Sequence, residues 1–129
     1  MKRPLWEDAI EARAAAYCPY SGYAVGAAIL DDNGLVHTGC NVENAASPVG
    51  TCAEVNALAA MVRAGGRRIR AVAVATADGA PPCGSCLQAL SEFVQLPQEV
   101  EVFLVDAAGN ENLLHFDQLL PIRFPRQGG

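Results

Sequence analysis

Two short stretches constrain this chain more than any others: Thr51-Cys52-Ala53-Glu54 and Pro82-Cys83-Gly84-Ser85-Cys86. Each stands where an apolar, helix-periodic segment begins. If the three thiols act together, the fold has to bring two helix starts to one point. Zn²⁺ takes Cys thiolates, and a catalytic zinc keeps three protein ligands and leaves its fourth position for water. Cys52, Cys83 and Cys86 can fill the three. Glu54 lies two residues beyond the first ligand, close enough to work on that water. The unpaired amides and the positive dipole end of a helix N-terminus favour thiolate over thiol. Two such ends converging on one zinc lower the cost of three thiolates. Pro82 suits a helix entry, because its missing N–H has no partner there anyway.

Two other readings of the cysteines stay open at this point. Cys83 and Cys86 alone form a Cys-x-x-Cys pair, which a thiol–disulfide oxidoreductase also uses. Alternatively, Cys40 could complete a closed, non-catalytic Cys₄ zinc site. Cys40 sits in a strand-like run, so a plain buried thiol is the simpler expectation, and Cys18 reads as packing.

The rest of the chain supplies a frame. Leu5, Ala9, Ala12 and Ala16 recur at helical spacing and predict a helix over 5–17, with Glu7, Asp8 and Glu11 on its wet face. Runs at 24–30 and 35–42 flank Asp31-Asp32-Asn33-Gly34, which is turn chemistry, so they predict a hairpin. A loop over 43–51 leads to a helix over 52–64, with Val55, Leu58, Ala59 and Val62 inward. Gly65-Gly66 stops it, and Arg67, Arg68 and Arg70 read as a solvated edge. The β-branched run 69–75 predicts a central strand. A helix over 83–95 follows, with Leu87, Leu90, Phe93 and Val94 inward, then strands at 100–105 and 111–114 and a brief helix over 116–120. The last two strands are too close in sequence for a parallel crossover, so they should pair antiparallel. The 69–75 and 100–105 strands, joined by a helix, form a right-handed parallel unit. The fold class is therefore α/β: three layers around one mixed five-stranded sheet.

With 129 residues, the chain suits a single domain over 1–129. A net charge of −5 argues against nucleic acid or an acidic membrane as partner. The first ten residues carry no apolar run of signal-peptide length, and no segment is long enough to span a bilayer. Five cysteines is an odd number, so with no export signal they read as reduced thiols or metal ligands in the cytoplasm.

The His-or-Cys-x-Glu and Pro-Cys-x-x-Cys pattern is the signature of the zinc nucleoside and nucleobase deaminases. This chain resembles the small, three-cysteine cytidine deaminases, which are homotetramers. The resemblance runs from about Tyr17 to Phe124. Ala16-Tyr17-Cys18-Pro19-Tyr20-Ser21, Val25-Gly26-Ala27-Ala28, Gly39-Cys40-Asn41-Val42-Glu43-Asn44-Ala45 and Leu119-Leu120-Pro121 with Phe124 each match a family segment in order. The resemblance implies a cytidine deaminase-like domain with one Zn²⁺ per subunit, held by Cys52, Cys83 and Cys86, with Glu54 as proton shuttle. It implies hydrolytic deamination of cytidine or deoxycytidine. Asn41 and Glu43 would bind the ribose hydroxyls. Tyr23, where the family has Phe, would line the base pocket, and Val25 belongs to the same substrate-binding set. Backbone groups at Ala53 and Pro82 would orient the base, and Phe124 would reach into a neighbouring subunit's site.

Three departures stand near the site. The family usually carries Arg after the glutamate and after the last cysteine, where its charge offsets the thiolates; this chain has Val55 and Leu87. Ser47 stands where an aromatic is common. Blasticidin-S deaminases also lack the first arginine but keep the second, and they lack the Asn-x-Glu-Asn segment. Deamination of another aminopyrimidine nucleoside, such as a blasticidin-like compound, is therefore the runner-up within the class.

Overall fold

The computed structural model describes residues 3–125. Helix α1 (Leu5–Arg13) leads into the antiparallel hairpin of β1 (Gly26–Asp31) and β2 (Val36–Cys40). Gly34 closes its turn at φ +84°, a conformation that suits a residue without Cβ. A 3₁₀ turn at Ser47–Val49 precedes α2 (Ala53–Arg63). Strand β3 (Ile69–Ala75), α3 (Gly84–Ser91), β4 (Glu101–Val105), β5 (Glu111–His115) and α4 (Phe116–Leu119) complete the order.

The five strands form one sheet in the order β2-β1-β3-β4-β5. Strands β3 and β4 are parallel, and β1–β2 and β4–β5 are antiparallel, as the spacing of the elements predicted; β1 also pairs antiparallel with β3, a neighbour that the spacing did not specify. Side-chain alternation sorts the sheet into two faces. Ala28, Ala73 and Ala75 face α1, where Trp6 and Phe103 meet with ring centroids 5.3 Å apart. Ala27, Ile29, Val72, Val74, Val102 and Leu104 face α2 and α3, in a larger core that includes Met61, Leu87, Leu90 and Phe116. The three-layer expectation holds.

The helices pack closely because the strands offer glycine and alanine. A Cβ on Gly26 would lie 2.1 Å from the Ala9 carbonyl oxygen, and one on Gly39 would lie 2.6 Å from the Ala53 carbonyl oxygen. Backbone therefore rests on backbone at β1–α1 and at β2–α2.

Several sequence expectations need correction. Helix α1 ends at Arg13 rather than at 17. Ala15 and Ala16 bond back three residues, to Ala12 and Arg13, and the chain then turns so that Tyr17 can bridge Val42. Helix α3 ends at Ser91 rather than at 95; Phe93 and Val94 continue in three-residue turns, and Phe93 gives its carbonyl to the Ile69 amide. The buried face of α2 is Ala53, Glu54, Ala57, Leu58 and Met61. Val55 and Val62 are half-buried and Ala59 is exposed. The buried stripe of α2 runs through Ala53, Ala57, Leu58 and Met61, so two alanines share it with the helix's two largest apolar residues while both valines sit at its margin.

Candidate active site

The register puts Gly26, Cys40 and Ala75 side by side at one end of the sheet. The residues just beyond them, Val25, Asn41 and Thr76, border a cleft of about 490 Å³. It lies outside the carboxyl end of β3, where open α/β sheets generally place a ligand.

Two helix N-termini point at this cleft. Cys52 is the N-cap residue of α2, and Cys83 is the N-cap residue of α3, with Cys86 in its first turn. Their three sulfurs lie within 4.8 Å of one another. Tetrahedral zinc at its usual thiolate distance requires sulfurs roughly 3.8 Å apart, so small side-chain adjustments are enough to close the set. Cys40 is not in this group, which leaves the closed four-cysteine arrangement without its fourth ligand. Cys40 is half-buried rather than fully buried, and so is Cys18.

The electrostatics of the cluster suit a cation. Backbone amides at the start of α3, first that of Cys86, hold the Cys83 thiol below its ordinary range. Burial pushes Cys52 and Cys86 up, and the nearby Glu54 adds to both shifts. Glu54 is itself 5% exposed, and burial raises its carboxyl above the usual range. Among the described residues, no Lys or Arg lines the cleft. Three soft sulfur donors and a buried carboxylate, with no cationic side chain among them, suit a thiophilic divalent metal.

The other predicted residues fall into three groups. Tyr23, Val25, Asn41, Glu43 and Ala53 line the cleft, as does Ser47. Pro82 does not: it is buried at the entry to α3, and its neighbour Pro81 takes that part of the wall. Phe124 is 69% exposed and lies outside the cleft. Gln88 holds it there, accepting the Phe124 amide at 3.2 Å and donating to its carbonyl at 3.4 Å.

Asn41 and Glu43 do more than face the cleft. Asn41 donates Nδ2 to the Tyr23 carbonyl and accepts the Val25 amide at Oδ1, both at 2.9 Å. Glu43 accepts the amides of Tyr20 and Ser21 and the Ser21 hydroxyl. These bonds, the Ser21 hydroxyl first, hold the Glu43 carboxyl below the usual range. Arg13 Nε reaches the Ala24 carbonyl at 2.8 Å from the other side. The segment 20–25 is thus pinned along its length. Asn41 keeps one N–H and one lone pair, and Glu43 keeps acceptor capacity, for a further partner. Sequence reasoning missed Thr76, which lines the cleft, and Asp78, which accepts the Tyr23 hydroxyl from behind it; their only sequence signal is two polar residues just past the end of a strand.

The sequence matches the family described as the cytidine and deoxycytidylate deaminase zinc-binding region over residues 2–102. It is 38% identical over 125 residues to the cytidine deaminase of Halalkalibacterium halodurans, covering 95% of this chain and 93% of that protein. The crystal structure of cytidine deaminase from Burkholderia pseudomallei superposes with a TM-score of 0.85 at 40% identity, covering 93% of this chain and 96% of that one. That of the Mycobacterium tuberculosis enzyme gives 0.81 at 38% identity, covering 95% of each chain.

Proposed function

Because the chain belongs to the cytidine and deoxycytidylate deaminase family and is a zinc-dependent hydrolase of that family, we propose that it deaminates unphosphorylated cytosine nucleosides. Cytidine and deoxycytidine give uridine and deoxyuridine, with release of ammonia. The observation that carries this reading is the lining of the cleft: Glu54 at the sulfur cluster, Asn41 and Glu43, and, among the described residues, no cationic side chain. A nucleotide would bring a phosphate to an acidic wall that carries no Lys or Arg among the described residues. A nucleoside brings hydroxyls, which suit the remaining capacity of Asn41 and Glu43.

Cys52, Cys83 and Cys86 would hold zinc, one ion per subunit. When bound, zinc makes water acidic enough to act as a nucleophile near neutral pH. Glu54, buried beside the sulfur cluster, takes a proton from the attacking water as the water's oxygen bonds to the ring carbon bearing the amine. It passes that proton to the ring nitrogen, then carries the remaining proton of the newly attached hydroxyl to the amine; the carbon–nitrogen bond breaks, ammonia leaves, and the water's oxygen stays on the base as a carbonyl. A carboxyl raised by burial suits both halves of this task. Ala53 and the Pro81–Pro82 segment present backbone groups to the base, while Tyr23 and Val25 wall it.

The enzyme works as a homotetramer in the reducing cytoplasm, where three thiolates persist. Phe124, turned away from its own cleft, serves a neighbour's. The test is metal content together with ammonia release from cytidine, deoxycytidine, deoxycytidine monophosphate, cytosine and blasticidin S. One zinc per chain and turnover of the two nucleosides are expected. Preference for the monophosphate or for blasticidin S would overturn the substrate assignment, and a metal-free active protein would overturn the site.

A further inference from the structure

We infer that Asp78 is a substrate-positioning residue, which fixes the Tyr23 ring across the cleft although it does not line the cleft itself. The inference rests on the nucleoside reading of the cavity. The Tyr23 hydroxyl donates to Asp78 Oδ1 at 2.7 Å, joining residues far apart in sequence. Tyr23 lines the cleft; Asp78 does not. The bond therefore ties segment 20–25, which Asn41 and Glu43 also hold, to segment 76–83, which carries Pro81 and Cys83.

Both ends of this tether are built. On the Tyr23 side, its amide donates to Ser21 Oγ at 3.0 Å and its carbonyl accepts Asn41 Nδ2. On the other side, Thr76 Oγ1 accepts the amides of Gly79 and Ala80 at 2.7 and 3.1 Å, and its hydroxyl lies 3.3 Å from Asp78 Oδ1. Gly79 turns at φ +75° against the Asp106 side chain, and Asp78 and Asp106 form an isolated bridge. The β4–β5 turn thus anchors the acceptor. The Tyr23 bond is the leading cause holding the Asp78 carboxyl below its usual range, so the acceptor is ionised at neutral pH. A charge-assisted bond from a fixed turn holds a half-exposed ring that solvent would otherwise let swing. Its effect belongs to binding, because the ring is a wall and not a proton donor to the substrate.

Uridine, the deamination product, is the probe, titrated by calorimetry into the zinc-loaded protein. Asp78→Ala should raise its dissociation constant about tenfold, the loss expected for one charge-assisted bond. Tyr23→Phe should cost about the same, and the double variant no more than either single one. Asp78→Asn keeps an acceptor and should recover most of the loss. In a spectrophotometric titration, the Tyr23 phenol should ionise at lower pH in Asp78→Ala, because Asp78 helps to raise it in the wild type. Wild-type uridine affinity in Asp78→Ala, additive losses, or an unchanged phenol midpoint would each overturn the inference. If the couplings hold while no cytosine nucleoside yields ammonia, the proposed reaction falls and the positioning role stands. A wild-type protein that does not bind uridine overturns both.

Discussion

Gly39 of β2 lies directly against the backbone of Ala57 in α2: a Cβ added at Gly39 would stand 2.5 Å from the Ala57 nitrogen. This contact sets the height of α2 over the sheet, and with it the position of Cys52 and Glu54 at the helix start. Asn56 reinforces it, donating to the Cys40 carbonyl at 2.8 Å and to Thr51 Oγ1 at 3.0 Å. Because the neighbour is backbone, it cannot rotate away.

Gly39→Ala should therefore cost about 1–3 kcal/mol of stability, the usual range for overpacking. Urea denaturation measures this. Deamination should fall further than stability alone explains, because α2 shifts relative to α3 and the sulfur triangle opens. Wild-type stability in this variant would mean that α2 rides on the sheet less tightly than the contact indicates.

Glu54→Gln should keep zinc and lower kcat about 10²- to 10⁴-fold, since an amide cannot shuttle protons. It should also stabilise the metal-free protein at pH 7. Burial raises the folded-state pKa of Glu54 above its unfolded value, so ionisation opposes folding once pH exceeds the unfolded value. Below that value both states hold the proton, and the stability difference between variant and wild type should vanish towards about pH 4. Thermal melts across pH check the sign.

Asp31 has the opposite sign. It is fully buried; Oδ2 lies 2.8 Å from His37 Nε2, and Oδ1 accepts the amides of Asn33 and Leu35. Despite the opposing cost of burial, these partners, His37 foremost, hold its carboxyl below the usual range. The stability it contributes is present above its unfolded pKa and is lost as pH falls through the folded value. Wild-type stability should drop more steeply below about pH 4 than that of Asp31→Asn. At pH 7 the variant should be weaker by about 1–3 kcal/mol, the range for a lost buried partner. Parallel pH profiles for the two proteins would mean that the pair adds nothing.

These residues also show what the sequence could reveal. The sheet was legible because its signals are local: a β-branched run at 69–75, the Asp-Asp-Asn-Gly turn, and a connection too short for a crossover. The sulfur cluster and Glu54 were legible because helix starts place them at fixed offsets. Helix ends were not, because tertiary hydrogen bonds decide them. Ala14, Ala15 and Ala16 favour helix, yet Tyr17 must donate to the Asn41 carbonyl and accept from Glu43. Nor could spacing show Asn41 and Glu43 holding segment 20–25, or Tyr23 reaching Asp78 across 55 positions.

Phe124→Ala tests the proposed exchange between subunits. The side chain is 69% exposed and serves no core in its own subunit, so the monomer fold should be unaffected. Nucleoside binding should weaken several-fold, as expected when an aromatic stacking partner worth about 1–3 kcal/mol is removed. Light scattering on the wild type should give a tetramer. A fully active monomer would sink the trans assignment.

The last prediction concerns charge at the sulfur cluster. Burial, hydrogen bonds and one another's negative charge act on Cys52, Cys83, Cys86 and Glu54, and among the described residues no Lys or Arg lines the cleft beside them. Of the two positions where the family carries arginine, Leu87 is 6% exposed and packed in the main core, so a guanidinium there would be buried among aliphatic side chains. Val55 is half-buried beside Glu54, and a long side chain at that point can lay its stem on the protein and keep its head in the polar site. A cation there favours the ionised form of Glu54 and of the attacking water. Val55→Arg should therefore move the acidic limb of the kcat/KM profile to lower pH, by about one unit, without loss of zinc. The measurement is kcat/KM against pH for both zinc-loaded proteins at fixed salt. No shift would mean that the two helix N-termini already neutralise the thiolates; an upward shift would mean that the added charge repels the metal more than it stabilises the carboxylate.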